Sequence, residues 1–291
     1  MQVVTLLTSP AAPALDRATV EALRDAWGGG EARWLAEGEA AEFTVTALPN
    51  NFWQVWEDLQ TRRIDMLGQP LAGREKKMLL ADMDSTMIDQ ECIDELADLA
   101  GVGDRVSEIT ARAMNGELDF EGALTERLGL LTGLDAGIVD RVYVDRITLA
   151  AGGKALVATM KARGAYAALV SGGFTAFTEK VAADLGFDEH RANVLGVAGG
   201  KLTGVPVQPI LGREAKIAAL EDITARLGLS EAQVMAVGDG ANDLGMLGRA
   251  GAGVALHAKP SVAAQCDLRI NHGDLTALLY IQGVARSEFV G

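Results

Sequence analysis

The sequence predicts an α/β fold in which a parallel sheet carries helices on both faces and an inserted helical cap. A small α+β sandwich precedes it. Three observations carry this. From Met78 onward, short apolar runs alternate with helical runs, the order produced by parallel strands and crossover helices. A stretch from about 90 to 147 interrupts that alternation with no strand pattern, and it is too long for one crossover. Residues 1–74 follow another order: strand, helix, two strands, helix, strand.

In the first segment, Val3–Leu7 reads as a strand and Leu15–Trp27 has helical periodicity ending at Gly28-Gly29-Gly30. Ala32–Leu35 and Phe43–Leu48 read as strands, Asn50 as the cap of a helix over Phe52–Gln60, and Ile64–Met66 as a last strand. The order β-α-β-β-α-β is that of a ferredoxin-like sandwich. All four tryptophans (Trp27, Trp34, Trp53, Trp56) fall here and are expected to be packing residues. A basic junction, Gly73 to Lys77, leads into residues 75–291. There Met78–Ala81, Ala165–Val170, Val234–Val237, Ala252–Ala255 and Leu268–Ile270 read as strands. A hairpin is expected between Asn193 and Val207, turning at Gly199-Gly200-Lys201.

Composition narrows the function. A formal charge of −14 over 291 residues disfavours binding to nucleic-acid backbones. It also repels anionic ligands, so a phosphate site would need its own local cation. Cys92 and Cys266 are far apart and are expected to be reduced thiols. The start lacks the basic end and long apolar run of an export signal. No stretch approaches the ~20 apolar residues of a membrane span. A cytoplasmic protein without membrane contact is expected, with homodimerisation left open.

Open parallel sheets bind ligands at the carboxyl ends of their strands. The first strand runs into Asp82-Met83-Asp84-Ser85-Thr86, the next into Ser171-Gly172-Gly173, and a later one into Gly238-Asp239-Gly240-Ala241-Asn242-Asp243. Carboxylates crowded on one edge repel each other unless a hard cation joins them. Magnesium favours oxygen ligands, whereas zinc would favour His or Cys, and His190, His257 and His272 form no ligand-spaced cluster. A carboxylate so placed can attack phosphorus, splitting one difficult hydrolysis into two steps. A second carboxylate two residues on can move the proton. Ser171 with neighbouring backbone N–H groups can hold phosphoryl oxygens, and Lys216 can supply the positive charge.

These four elements resemble, in order, the motifs of the haloacid dehalogenase superfamily: Asp82 to Thr86, Ser171 to Gly173, Lys216, and Gly238 to Asp243. The resemblance covers Met78 to about Gly283 and implies a Rossmann-like catalytic domain. The runs DMDSTMIDQECIDELADLAGV, ITARAMNGELDFEGALTERLGLL, VSGGF, GKLTG and VGDGANDLGML are similar to those of the phosphoserine phosphatases within it. That resemblance implies Asp82 as nucleophile and Asp84 as general acid and base. Magnesium would be held by Asp82, Asp239 and the Asp84 carbonyl, with Asp243 supporting it from behind. It implies Ser171, Gly172, Lys216 and Asn242 around the phosphate, Glu91 at the substrate ammonium, Arg127 at its carboxylate, and Met114, Gly116 and Phe120 in the cap's closure. Residues 1–74 resemble an ACT-type domain, either effector-binding or purely structural. Two other readings stay open: an enzyme that passes the phosphoryl group to an alcohol such as homoserine or acts on small phosphomonoesters broadly, and a non-catalytic amino-acid sensor.

Overall fold

A computed structural model describes residues 1–114 and 117–291, with the Met114 side chain excluded. The N-terminal part contains β1 (Gln2–Leu7), α1 (Arg17–Ala26), β2 (Arg33–Ala36), β3 (Ala40–Val45), α2 (Phe52–Gln60) and β4 (Asp65–Pro70). Asp16 caps α1 by accepting the Thr19 N–H at 2.7 Å, the usual way to satisfy a free donor at a helix start. Asn50 does not cap α2. Asn51 stands at that position and makes no side-chain cap bond. The antiparallel sheet runs β2-β3-β1-β4. Each helix-linked strand pair is thus split by another strand, as in a ferredoxin-like sandwich.

This small sheet is buried on both faces, so apolar residues occupy successive as well as alternate strand positions. Val4, Leu6, Ala41, Phe43 and Met66 pack beneath the two helices. Leu7, Leu35, Ala40 and Leu67 face the other way and join the core of the larger domain. Polar contacts stitch the seam. Asp65 is fully buried and accepts the backbone N–H groups of Asn271, His272 and Gly273 at 3.0, 2.9 and 2.8 Å. Gln69 donates to the Ile281 carbonyl and Tyr280 to Glu39. The tryptophans are less central than expected: Trp53 is 39% exposed, and the Arg269 guanidinium lies 4.1 Å from its ring centroid and 5.4 Å from that of Trp56. They hold a cation at the domain junction.

The larger part begins with β5 (Met78–Ala81). Four helices follow: α3 (Cys92–Leu99), α4 (Gly103–Met114), α5 (Phe120–Gly129) and α6 (Ile138–Arg146). The alternating section comprises α7 (Gly153–Ala162), β6 (Tyr166–Phe174), α8 (Thr175–Leu185), β7 (Glu189–Asn193), the hairpin β8 (Leu195–Ala198) and β9 (Lys201–Pro206), α9 (Arg213–Leu227), β10 (Val234–Gly238), α10 (Leu244–Arg249), β11 (Ala252–Leu256), α11 (Pro260–Ala263), β12 (Leu268–Ile270) and α12 (Ala277–Tyr280). The six-stranded sheet has the order β12-β11-β10-β5-β6-β7 and all its pairings are parallel. Since β5 and β6 are neighbours, α7 suffices as their crossover, and α3–α6 form an insertion above the strand ends.

β7 is the strand the sequence does not announce. Glu189, His190 and Arg191 offer no apolar alternation, because this strand lies at the sheet edge, where charged side chains discourage pairing with another chain. The two cysteines are free and buried.

Candidate active site

The carboxyl ends of β5, β6 and β10 meet below the inserted helices around a cavity of ≈ 340 Å³. Asp82, Asp84, Glu91, Phe120, Arg127, Ser171, Gly172, Asp239 and Asn242 all line it. Lys216 and Asp243 lie directly behind, 2% and 0% exposed. Gly116 and the Met114 side chain lie outside the described residues.

The acids and Ser171 are placed by the strands they follow or end. Asp82 continues the β5–β10 ladder through its N–H to the Val237 carbonyl, 3.0 Å. The chain then turns sharply: the Met83 carbonyl accepts the N–H groups of Thr86, Met87 and Ile88, and Ser85 adopts a left-handed φ of 55°. That conformation is costly for a residue with a Cβ. It leaves the Ser85 hydroxyl donating to Glu91 Oε1 at 2.8 Å.

Asp84 is held from two sides. Its Oδ1 accepts the Cys92 N–H at the start of α3, 2.9 Å, and its Oδ2 accepts the Ser171 hydroxyl, 3.1 Å. Ser171 Oγ in turn accepts the Gly173 N–H at 2.8 Å. A Cβ on Gly173 would sit 2.7 Å from Asp84 Oδ2, so any larger residue there would have to displace that carboxylate.

Lys216, on the first turn of α9, is not a surface lysine paired with nearby Glu214. Its Nζ lies 2.6 Å from Asp82 Oδ1 and 2.5 Å from Asp243 Oδ1. Burial disfavours its ammonium, but the two carboxylates outweigh this and hold its pKa above the ordinary lysine value. Asp243 Oδ2 also accepts the Gly240 N–H, which closes the loop after β10.

One ammonium does not balance these acids. Carboxylate oxygens of Asp82, Asp239 and Asp243 lie within 4.8 Å of one another. Burial pushes the Asp82 carboxyl well above the usual carboxylate range against the pull of Lys216, and it raises Asp84 in the same direction. Asp239 is pushed up to about 6, by burial first and by Asp243 second. Glu91 stays exposed at the cavity mouth, yet the protein around its carboxyl, with the charge of Asp84 adding, pushes it up to about 7. An all-oxygen cluster with surplus negative charge fits a hard divalent cation.

The profile of the haloacid dehalogenase-like hydrolases matches residues 79–248, more than half of the chain. The chain belongs to this family. Among curated relatives, it is 41% identical over 225 residues to a protein from Streptomyces coelicolor named phosphoserine phosphatase. That match covers 77% of this chain and 55% of the relative. It is 46% identical over 208 residues to a phosphoserine phosphatase of Polaromonas, covering 70% of this chain and 88% of the relative. Among solved structures, a HAD family hydrolase from Salmonella enterica serovar Typhi superposes with a TM-score of 0.86 at 30% identity, covering 97% of this chain and 98% of its own. The chain spans about half the length of the Streptomyces relative.

Three contributors escaped the sequence reading. Thr86 donates to Asp239 Oδ1 at 3.2 Å and links the first and last acidic loops. The backbone N–H of Cys92 holds Asp84, and its buried thiol also bears on that carboxylate. Lys259, after β11, lines the cavity and lowers the pKa of Asp239 by its charge. The position of Lys259 at the carboxyl end of a strand was the available signal.

Proposed function

We propose that the chain is a magnesium-dependent phosphoserine phosphatase that hydrolyses O-phosphoserine to serine and phosphate through a phosphorylated Asp82. One observation carries the reading. A single cavity joins the acids at the strand ends to Glu91 and Arg127, which come from the inserted helices. A substrate with phosphate at one end and ammonium and carboxylate at the other needs such a distribution of charge. The matches to proteins named phosphoserine phosphatase support it.

In this reading Asp82 and Asp239, with the Asp84 carbonyl, would hold the magnesium, and Asp243 would steady the cluster while binding Lys216. The ion would neutralise phosphoryl charge and keep Asp82 ionised despite its burial. Asp82 attacks phosphorus as the bond to the serine oxygen breaks. Asp84, whose protonated form burial favours, gives its proton to that departing oxygen. A water molecule then attacks phosphorus, Asp84 takes up its proton, and Asp82 is released as phosphate forms. Ser171, Gly172, Asn242 and Lys216 receive the phosphoryl oxygens. Phe120, on the first turn of α5, covers the bound substrate and excludes water.

A small α+β unit over 1–74, of ACT type, and a catalytic unit over 75–291 with its cap at about 90–147 belong to the same proposal. So does a cytoplasmic location. Among the described residues no helix is long and apolar enough to cross a membrane.

The test is phosphate release from a panel of small phosphomonoesters, with magnesium and then with chelator, in the presence and absence of homoserine. Phosphoserine should be the preferred substrate and free phosphate the product. Formation of phosphohomoserine in place of phosphate would make the chain a phosphotransferase.

A further inference from the structure

The strand carrying Ser171 does not pair evenly with its neighbour. β6 and β7 are in register up to Val170 opposite Arg191, and pairing resumes at Phe174 opposite Asn193. Ser171, Gly172 and Gly173 thus bulge out of the ladder, and a bulge leaves backbone groups without their strand partners. The Asn193 side chain fills that role. It is 1% exposed. Its amide nitrogen donates to the Gly172 carbonyl at 2.8 Å and to the Leu211 carbonyl at 3.1 Å, and its oxygen accepts the Leu211 N–H at 2.6 Å. The Leu211 N–H can be met only by the oxygen, so the amide has one orientation.

One buried side chain therefore ties two loops that are remote in sequence. The first bears Ser171. The second leads through Gly212 into α9, whose first turn carries Lys216. The same two loops form a slot for the cap. A Cβ on Gly172 would lie 3.4 Å from Phe120 Cζ, and one on Gly212 would lie 3.3 Å from Phe120 Cδ1, on another part of the ring. The ring rests on both glycines.

We infer that Asn193 is a positioning residue for phosphoryl transfer, fixing the spacing of the Ser171 loop and the α9 loop on which the phosphoryl group and Phe120 both seat. The inference rests on the phosphatase reading above. Asn193 touches no substrate, so its effect passes through the phosphoryl site and should be the same for every phosphomonoester.

The experiment compares wild type, Asn193→Ala and Asn193→Asp on phosphoserine and on an aryl phosphate, with magnesium, well below each protein's Tm. Asn193→Asp keeps the acceptor for Leu211 and loses both donors. Displacement of a reacting group by about an ångström costs about 100-fold in rate, so kcat should fall by about that factor on both substrates. The folded fraction, measured by circular dichroism, should stay unchanged. A folded variant that keeps kcat within about twofold of wild type would overturn the inference. So would loss on phosphoserine alone, which would place Asn193 in recognition of the amino acid, and so would failure of both variants to fold, which would make it a requirement of the fold at large. Inactivity of wild type on both substrates would instead refute the phosphatase reading.

Discussion

Replacement of Arg127 by alanine separates recognition of the substrate from the chemistry at phosphorus. Arg127 lies on α5 and lines the cavity, with Nε donating to the Ala123 carbonyl at 3.2 Å. Among the described residues this is its one hydrogen bond, so both terminal nitrogens of the guanidinium remain for a ligand. Burial lowers its pKa from the ordinary arginine value, and Asp94 and then Glu91 oppose that shift. A carboxylate left unpaired in a closing pocket loses a charge-assisted bond of about 1.5–3 kcal/mol, or about 10- to 150-fold in kcat/KM. An aryl phosphate has no carboxylate, and its kcat/KM should stay close to wild type. The assay is the ratio of the two kcat/KM values in wild type and in Arg127→Ala. Equal losses on both substrates would refute the assignment and remove the main argument for phosphoserine over phosphomonoesters in general.

Asp82→Asn should abolish turnover without changing the circular dichroism spectrum or the Tm by more than a few degrees, since the amide keeps the shape and loses the nucleophile; measurable multiple turnover would exclude Asp82 from that role. Activity should vanish on chelation and return with magnesium, while calcium, with its looser and larger coordination, should restore little; full activity in calcium would contradict the oxygen geometry described. Glu91 and Asp239 titrate near about 7 and about 6 in the folded chain, above their unfolded values, so the native state binds more protons than the unfolded state between those limits. The chelated protein should therefore melt at a higher temperature at about pH 5 than at about pH 8, and magnesium should raise Tm most at the higher pH; a chelated Tm that rises with pH would contradict the crowding of these acids. Asp65→Ala should destabilise the protein by about 3 kcal/mol, because three backbone N–H groups, that of Gly273 buried, lose their shared acceptor; a chemical denaturation curve unchanged from wild type would show the seam to be weak.

The acidic loops were legible because an apolar strand followed at once by carboxylates is unusual without a cation to join them. The insertion was legible from its length, and the N-terminal sandwich from its element order. Much of what supports them was not. Asn193 sits in a polar edge strand, where nothing in the local pattern marks a residue 1% exposed. Cys92 bonds Asp84 with its backbone N–H, a group that every residue type other than proline offers. Lys216 and Asp243 are 27 residues apart and their contact depends on the packing of α9 against α10. The sequence places all proposed chemistry after Met78, which suggests an N-terminal part that can be removed. The structure opposes this: Leu7, Leu35, Ala40 and Leu67 complete the core of the catalytic domain, and Asp65 fastens the loop before α12. A truncation beginning near residue 75 would expose that surface to water.

The phosphorylated enzyme tests the central claim most directly. Wild type mixed with radiolabelled phosphoserine and magnesium, quenched in acid within one turnover and digested, should carry label on the peptide containing Asp82. The label should be lost in base and absent from Asp82→Asn. Turnover of phosphoserine with no label on that peptide, or with label elsewhere, would contradict the covalent mechanism.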